Sequence, residues 1–211
     1  MNIAVLVSGG GTNLAALIKA RDEGRLGGGR LCAVISSKPD VFALERARDA
    51  GIPAFVVSRR GYETIHDFSR AVENALALMD IGLVVHAGFL SIMDSEFCRA
   101  FPHQINVHPA LIPSFCGKGM YGIKVHEAAL ARGVKISGAT VHFVNEEADG
   151  GPIIFQKAVD ILDGDTPESL QARIMQQCEH VLLPKAVRLF CQGALRLENG
   201  KAVIFNERVD I

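Results

Sequence analysis

The sequence lacks the features that mark several common classes of protein. Its 211 residues carry a net charge of only −1, so no overall field attracts nucleic acid or an anionic membrane surface, and an anionic ligand must be held locally. No apolar run approaches membrane-spanning length. Met1 leads directly into an apolar strand pattern without a basic segment or cleavage site. We therefore expect a soluble, cytoplasmic protein with neither a nucleic-acid nor a membrane partner.

Cysteine offers neither cross-links nor a metal site. The five cysteines are odd in number, widely scattered and form no CxxC pair, which indicates reduced thiols rather than a disulfide framework or a zinc knuckle. Cys116 has no positioned base, which argues against a cysteine nucleophile. The histidines and carboxylates between His108 and Asp149 include no HExxH or comparable spacing, so we expect no catalytic metal.

What the sequence does have is a regular alternation of short apolar runs with longer amphipathic segments. Such alternation is typical of a parallel sheet with helices on both faces. The first half predicts strands at 3–8, 31–36, 54–57, 83–86 and 104–107, separated by helices at 13–23, 41–50 and 62–79. The second half predicts a helix at 123–131, a hairpin of strands at 138–144 and 152–159, a long helix at 170–190, and terminal strands at 194–197 and 202–205. We expect one α/β domain, residues 1–211, with a doubly wound, mostly parallel sheet and antiparallel strands in its C-terminal half.

A glycine-rich turn, SGGGTN at residues 8–13, joins the first predicted strand to the first predicted helix. Its glycines allow close backbone approach, and the free amides at the helix start can bind a phosphate. In an open sheet this turn lies at the carboxyl edge, where ligands bind, so we interpret Gly11, Thr12 and Asn13 as a phosphate site. A turn in which Thr12 merely caps the helix is the alternative. A nicotinamide dinucleotide is disfavoured, because the spacing is not GxGxxG and no acidic residue ends the second strand.

The segment INVHPALIPSF, residues 105–115, places Asn106 and His108 two residues apart on one predicted strand. Residues two apart on a strand project from the same face. A carboxamide beside an imidazole suits acyl transfer, since the first can hold a developing oxyanion and the second can move a proton. Taken alone, however, the triplet is better explained by a histidine that ends a buried strand.

Asp149, in the sequence ADGGP, is a third candidate. Gly150 and Gly151 permit a tight bend that turns the carboxylate back towards the sheet edge. A carboxylate near His108 would stabilise the imidazolium and raise the pKa of that histidine. Asp-Gly is also an ordinary turn dipeptide, and local sequence does not decide between the two interpretations. The glycine-rich segment CGKGMYG, residues 116–122, fits neither helix nor strand and is a candidate mobile loop.

Five motifs, in order along the chain, resemble those of the phosphoribosylglycinamide formyltransferases. They are SGGGTN, AGFLSIM, INVHPALIPSF, SGATVHFVNEEADGGPI and EHVLLPKAV. The resemblance covers nearly the whole chain and implies a Rossmann-type formyltransferase fold, with residues 1–103 as a nucleotide-binding half and residues 104–211 as a catalytic and folate-binding half. The implied reaction, a step of purine biosynthesis, transfers a formyl group from the co-substrate 10-formyltetrahydrofolate to the amino group of glycinamide ribonucleotide.

The resemblance also implies roles for individual residues. Asn106 would hold the formyl oxygen, His108 would stabilise the same charge and relay protons, and Asp149 would keep His108 protonated and help position a water. The other implied contacts are the phosphate at Gly11, Thr12 and Asn13, the ribose at Gln176 and Glu179, and the pteridine at Leu90, Ser91, Ile92 and Met93, with Asn106 adjoining.

Three features depart from the pattern of that family. Many members carry arginine where this sequence has Ser91 and Ile65, and we expect both changes to alter contacts to the folate. The loop at 116–122 is longer than in some members, and we expect it to close over the folate.

The sequence leaves four other activities open. A formyltetrahydrofolate hydrolase resembles the same catalytic domain but carries an extra N-terminal regulatory domain, which we do not expect because the first strand begins at residue 2. A transfer-RNA formyltransferase adds a C-terminal domain and a basic surface, and neither is expected here. A non-catalytic folate- or nucleotide-binding module and a nicotinamide-dependent oxidoreductase are the remaining alternatives. We expect small-molecule partners and a monomer or homodimer.

Overall fold

The computed structural model describes residues 1–205, so the last six residues of the predicted domain lie outside the described part. The helices and strands are β1 (Asn2–Val7), α1 (Thr12–Asp22), β2 (Arg30–Ser36), α2 (Phe42–Asp49), β3 (Ala54–Val56), α3 (Ile65–Leu76), β4 (Ile81–His86), α4 (Ser95–Ala100), β5 (Gln104–His108), α5 (Ile123–Arg132), β6 (Ile136–Phe143), β7 (Ile153–Asp160), α6 (Pro167–Ile174), α7 (His180–Cys191), β8 (Leu195–Glu198) and β9 (Lys201–Ile204). A 3₁₀ turn lies at Arg59–Gly61, and a π-helical turn, Met175–Glu179, joins α6 to α7. Within residues 1–205, no helix is both long and apolar enough to cross a membrane.

Seven strands form one sheet in the order β3-β2-β1-β4-β5-β6-β7. The first five strands of the chain run parallel, whereas β6 and β7 are antiparallel to their neighbours. The chain leaves β1 towards β2 on one side and returns to β4 on the other, which is the doubly wound arrangement. Strands β8 and β9 pair as a separate hairpin. The predicted fold class, including its antiparallel C-terminal strands, is confirmed.

Alternation along β1 divides the core into two layers. Ile3, Val5 and Val7 face a layer that contains side chains of α1, α2 and α7. Ala4 and Leu6 face the opposite layer, which contains side chains of α3 and α4. All five residues are fully buried, as expected for a strand between two helical layers. Because both faces are packed, the ends of the strands are held in fixed positions.

Strand β5 and the adjoining ends of β4 and β6 are apolar on one face and polar on the other, whereas Val84, earlier on β4, lies in the second core layer. The apolar residues join the first core layer and include Leu83, Val85, Ile105, Val107, Val141 and Phe143. The residues that alternate with these on the other face are His86, Gln104, Asn106, His108, Thr140 and His142. Burying polar groups costs free energy unless each one finds a partner. A polar face at the end of a buried sheet therefore indicates a functional site.

Two elements differ from the sequence prediction. The pattern does not predict α4, because six residues are too few to show helical periodicity. That helix begins after Asp94, whose side chain accepts a hydrogen bond from the Phe97 amide. The long helix predicted at 170–190 is interrupted by the π turn, which takes up one more residue than an α turn does. The other elements match their predicted bounds closely.

Candidate active site

A cavity of about 590 Å³ lies at the carboxyl ends of β1, β4 and β5. The order of the strands reverses between β1 and β4, and ligands of doubly wound sheets bind at such a point. The walls of the cavity come from the turn after β1, the segment after β4, the end of β5, the loop at 117–122 and the connection between β6 and β7. Gln171, Met175 and Glu179 close one end. Segments that are far apart in sequence therefore meet here.

The glycine-rich turn forms one end of the cavity. Gly11 occupies the N-cap position of α1 with a left-handed φ of 69°, and its helix begins at Thr12 without a side-chain cap. The alternative in which Thr12 caps the helix is therefore wrong. Gly11, Thr12 and Asn13 all line the cavity, so the free amides at the start of α1 lie at its wall, where they can donate to an anion.

Helix α2 braces this turn from behind. A Cβ at Gly11 would lie 2.7 Å from the Cβ of Ala43, so only glycine allows the turn to pack against α2 at this position. The Ala43 amide donates to the Gly9 carbonyl at 3.2 Å, and Arg46 Nε donates to the Gly10 carbonyl at 3.0 Å. The backbone of the turn is thus fixed before any ligand binds.

A buried carboxylate lies beside the turn. Asn13 Nδ2 donates to Glu179 Oε2 at 2.6 Å, and Glu179 is only 7% exposed. Burial raises the pKa of Glu179, although the hydrogen bond from Asn13 opposes that rise. Among the described residues, none donates to the buried Oδ1 of Asn13. The Glu179 carboxylate lines the cavity and can accept from hydroxyl or amine donors of a ligand, whereas Asn13 Oδ1 is enclosed.

Gln176 is the predicted contact that the structure places elsewhere. Its side chain is exposed and does not line the cavity, whereas Met175 does. The prediction assumed that Gln176 and Glu179, three residues apart, share one face of an α-helix. The π turn has more residues per turn than an α-helix, so Met175, four positions before Glu179, lies on the cavity side instead. The structure therefore does not bring Gln176 to the cavity wall, and a ribose contact through Gln176 stays a prediction.

The polar face of the sheet forms the centre of the cavity. Asn106 on β5 pairs with His142 on β6, and His108 pairs with Thr140. His142 Nδ1 lies 2.8 Å from the Phe143 carbonyl and must donate to it, so Nε2 of His142 is free to accept a hydrogen bond from Asn106 Nδ2 at 3.1 Å. The place of His142 beside Asn106 follows from the register of two antiparallel strands, which local sequence does not specify.

Asp149 reaches the site from the connection between β6 and β7. The residue has a left-handed φ of 57°, a conformation that aspartate tolerates better than most residues. A Cβ at Gly151 would lie 1.7 Å from the Phe143 carbonyl oxygen, so the bend requires glycine there. Local sequence left a turn and a site residue as alternatives, and the structure combines the two.

The Asp149 carboxylate contacts four groups of the site. Oδ2 accepts from the Gly117 amide at 2.9 Å and lies 3.5 Å from His108 Nδ1. Oδ1 lies 3.4 Å from Asn106 Nδ2 and 3.7 Å from His142 Nε2. The three predicted residues, Asn106, His108 and Asp149, are therefore brought together, with His142 as a fourth member.

Burial has the largest effect on the pKa of His108. It lowers that pKa below the ordinary value, and the Asp149 carboxylate and the Phe115 carbonyl offset only part of the effect. The expected contribution of Asp149, which raises the pKa of His108, is therefore present but smaller than the effect of burial. Burial alone would raise the pKa of Asp149, but the contacts with His142, His108 and the Gly117 amide bring it below its ordinary value. The carboxylate is thus charged beside a histidine that readily gives up its proton.

The hydrogen bonds of His108 fix the position that takes up a proton. Its Nε2 lies 2.9 Å from the Phe115 carbonyl oxygen and must donate to it. In the neutral ring, Nδ1 then carries the lone pair and faces Asp149. A proton that arrives at Nδ1 completes an ion pair, so His108 can accept a proton and return it at that atom.

The predicted pteridine segment also lies at the cavity. Its members are Leu90, Ser91, Ile92 and Met93. The Leu90 amide donates to Ser8 Oγ at 2.9 Å, and Ser8 Oγ lies 2.6 Å from Ser37 Oγ, so the segment is tied to the start of the glycine-rich turn. Ile65 is exposed at the start of α3 and does not line the cavity. Loop residues 117–122 form the adjacent wall, and sequence reasoning missed His86, which also lines it.

Comparisons with known proteins agree with this geometry. The formyl transferase family pattern matches residues 1–187. Phosphoribosylglycinamide formyltransferase of Escherichia coli (strain K12) is 34% identical over 99% of this chain and 96% of that protein. The trifunctional purine biosynthetic protein adenosine-3 of Gallus gallus is 39% identical over 95% of this chain, which spans only 20% of that longer protein. A solved structure, glycinamide ribonucleotide transformylase 1 from Symbiobacterium toebii, matches with a TM-score of 0.90 at 40% identity, covering 98% of this chain and 94% of that one.

Proposed function

Because the chain belongs to the formyl transferase family, and within it to the phosphoribosylglycinamide formyltransferases, we propose that its cavity transfers a formyl group from 10-formyltetrahydrofolate to the amino group of phosphoribosylglycinamide, a step of purine biosynthesis. The observation that carries the proposal is the meeting of Asn106, His108 and Asp149 in a cavity whose wall also contains the glycine-rich turn at the start of α1. Family members use a formylated folate as co-substrate, and the reaction requires no metal.

The acceptor binds at the end formed by the glycine-rich turn. Its phosphate receives hydrogen bonds from the backbone amides of Gly11, Thr12 and Asn13, where the helix dipole also favours negative charge. Its ribose hydroxyls donate to the Glu179 carboxylate, which lines this end of the cavity and already accepts from Asn13. This arrangement directs the amino group of the acceptor towards the centre of the cavity.

The folate binds at the opposite end, along Leu90 to Met93. Backbone groups of this segment hold the pteridine, while the exposed side chains of Leu90 and Ile92 provide apolar contact. Ser91 supplies no positive charge for the glutamate tail of the folate. We therefore expect this chain to depend less on ionic contacts to that tail than relatives with arginine at this position.

The reaction passes through a tetrahedral intermediate. The acceptor amine forms a bond to the formyl carbon, and the carbonyl oxygen becomes an oxyanion that Asn106 Nδ2 stabilises. In the structure Nδ2 lies within reach of two acceptors, His142 at 3.1 Å and Asp149 at 3.4 Å. The oxyanion replaces the longer and weaker of these two contacts.

His108 moves the proton that the transfer releases. Nδ1 takes a proton from the attacking amine, and the adjacent Asp149 carboxylate stabilises the imidazolium that results. The bond between the formyl carbon and N10 of the folate then breaks, and the same proton passes to N10. Atoms and charge balance, since the amine loses the proton that the leaving nitrogen gains.

An assay with and without the acceptor tests this function. We expect formyl loss from 10-formyltetrahydrofolate only when phosphoribosylglycinamide is present, with formylated acceptor as the product. His108→Ala should lower kcat by about 10³-fold, whereas His103→Ala, an exposed histidine at the other end of β5, should leave it unchanged. Acceptor-independent formyl loss would indicate a hydrolase, and binding without turnover would indicate a non-catalytic module. Either result would contradict the proposal.

A further inference from the structure

His86 extends the polar row across a third strand. It ends β4, and its Cα partner on β5 is Asn106, which in turn pairs with His142 on β6. Partners in adjacent strands project from the same face, so the three side chains form one row, and all three line the cavity. The mechanism above uses Asn106 and His142 but leaves His86 without a role.

The hydrogen bonds around His86 fix its tautomer. Gln104 Nε2 donates to the Phe101 carbonyl at 2.9 Å, so Gln104 Oε1 is the acceptor for His86 Nε2, 2.8 Å away. Burial lowers the pKa of His86 to about 4, and the ring is neutral at physiological pH. Its single ring proton therefore lies on Nε2, and Nδ1 carries a lone pair.

The lone pair of His86 has no donor within the described part of the chain. His86 is only 7% exposed, and it lines the cavity, as do Leu90 and Met93 of the predicted pteridine segment. Its lone pair is therefore available to a ligand in the cavity. A neutral acceptor fixed at that position suits an uncharged N–H group rather than an anion.

We propose that His86 Nδ1 accepts a hydrogen bond from the edge of the folate pterin that carries the exocyclic amino group and N8–H. On this edge the two donors flank N1. The remaining donors, N3–H and N5–H, both stand beside the C4 carbonyl oxygen, which would repel the lone pair of His86. The inference rests on the proposed function, because it assumes that a pterin occupies this end of the cavity. It makes His86 a specificity-determining residue for the donor.

Ligand binding to a leucine variant tests the inference without relying on turnover. We expect His86→Leu to weaken tetrahydrofolate binding about tenfold, as measured by titration calorimetry. Two analogues locate the contact, one with carbon in place of N8 and one with methyl in place of the exocyclic amino group. The analogue that lacks the contacted donor should bind the wild-type protein and His86→Leu within twofold of each other.

Two further variants separate this contact from a structural effect. His86→Asn keeps an acceptor near the position of Nδ1 and should recover most of the lost affinity, whereas His103→Leu is the matched control that should change none of the affinities. Equal losses for all three ligands, or no loss for any of them, would overturn the inference. If the wild-type protein binds no folate, the proposed function fails. If it binds folate and transfers formyl groups while His86→Leu matches it, only the role of His86 fails.

Discussion

The end of the cavity beside α1 and the centre of the cavity are built in different ways. The end beside α1 consists of consecutive residues 8–13, and it presents backbone amides at the start of the helix. The centre consists of side chains from β4, β5, β6 and the bend after β6, which only the sheet brings together. A backbone site depends on a short stretch of conformation, whereas a side-chain site depends on strand register. A backbone site tolerates side-chain changes but is lost when the backbone moves. A side-chain site tolerates small backbone movements but is lost when one of its side chains is replaced.

Of the three variants compared here, Asp149→Asn should have the largest effect, because it changes the side-chain site at the centre of the cavity. Asp149→Asn removes the charge that stabilises the His108 imidazolium, and we expect kcat to fall by about 10²- to 10³-fold. The carboxylate raises the pKa of His108 against the lowering caused by burial, so its removal should shift that pKa to still lower pH. A proton NMR titration of His108 measures this shift. An unchanged or higher pKa of His108 would contradict the assigned contact.

Breaking the backbone end at Gly11 should have a smaller effect on chemistry. Gly11→Ala forces the turn away from Ala43 and from its left-handed φ, so we expect a loss of about 1–3 kcal/mol in the free energy of unfolding. The KM for the acceptor should rise about tenfold, with kcat changed little. Gly24→Ala is the matched control, since Gly24 has the same φ of +69° with nothing within 4 Å of its Cβ position. Equal kinetic effects of both variants would rule out a specific role for the turn.

The smallest effect is expected for Glu179→Gln. Glu179 is a side chain at the end of the cavity that otherwise presents backbone amides, so this variant tests whether that end also depends on a side chain. Glu179→Gln should raise the KM for the acceptor, while unfolding in urea at pH 7 should show a gain of about 1 kcal/mol. The sign follows from the raised pKa of Glu179: the folded state holds the proton more tightly, so stability falls as pH rises from the unfolded pKa through the folded one. Glu179→Gln should not show this decrease in stability with rising pH. Glu127→Gln, at an exposed position on α5, should change neither quantity.

The fold and the position of the glycine-rich turn could be predicted from the sequence. Alternating apolar runs such as residues 2–7 reveal strands because both faces must be buried. The turn at residues 8–13 can be predicted because it is a contiguous segment between a strand and a helix. The shared face of Asn106 and His108 can be predicted for a similar reason, since two residues on one strand share a face whatever the other elements do.

Contacts between different strands and helices could not be predicted from the sequence. The proximity of His86, Asn106 and His142 depends on the register of three strands, which no local pattern specifies. The direction of the Gln176 side chain depends on a single π turn, which an apolar pattern does not reveal. The Asp149 carboxylate does raise the pKa of His108, as expected, but burial outweighs that contribution. Each outcome depends on what surrounds a residue rather than on the residues next to it in sequence.

The π turn at Met175–Glu179 gives the helical segment one adjustable point. A π turn closes its hydrogen bonds over five residues where an α turn uses four, and Gln176 and Gln177 are both exposed there. Removing one of these glutamines would shorten the turn and move Glu179 relative to the cavity, while the sheet that positions Asn106 and His108 would stay unchanged. The end of the cavity beside α1 is therefore mechanically separate from its centre.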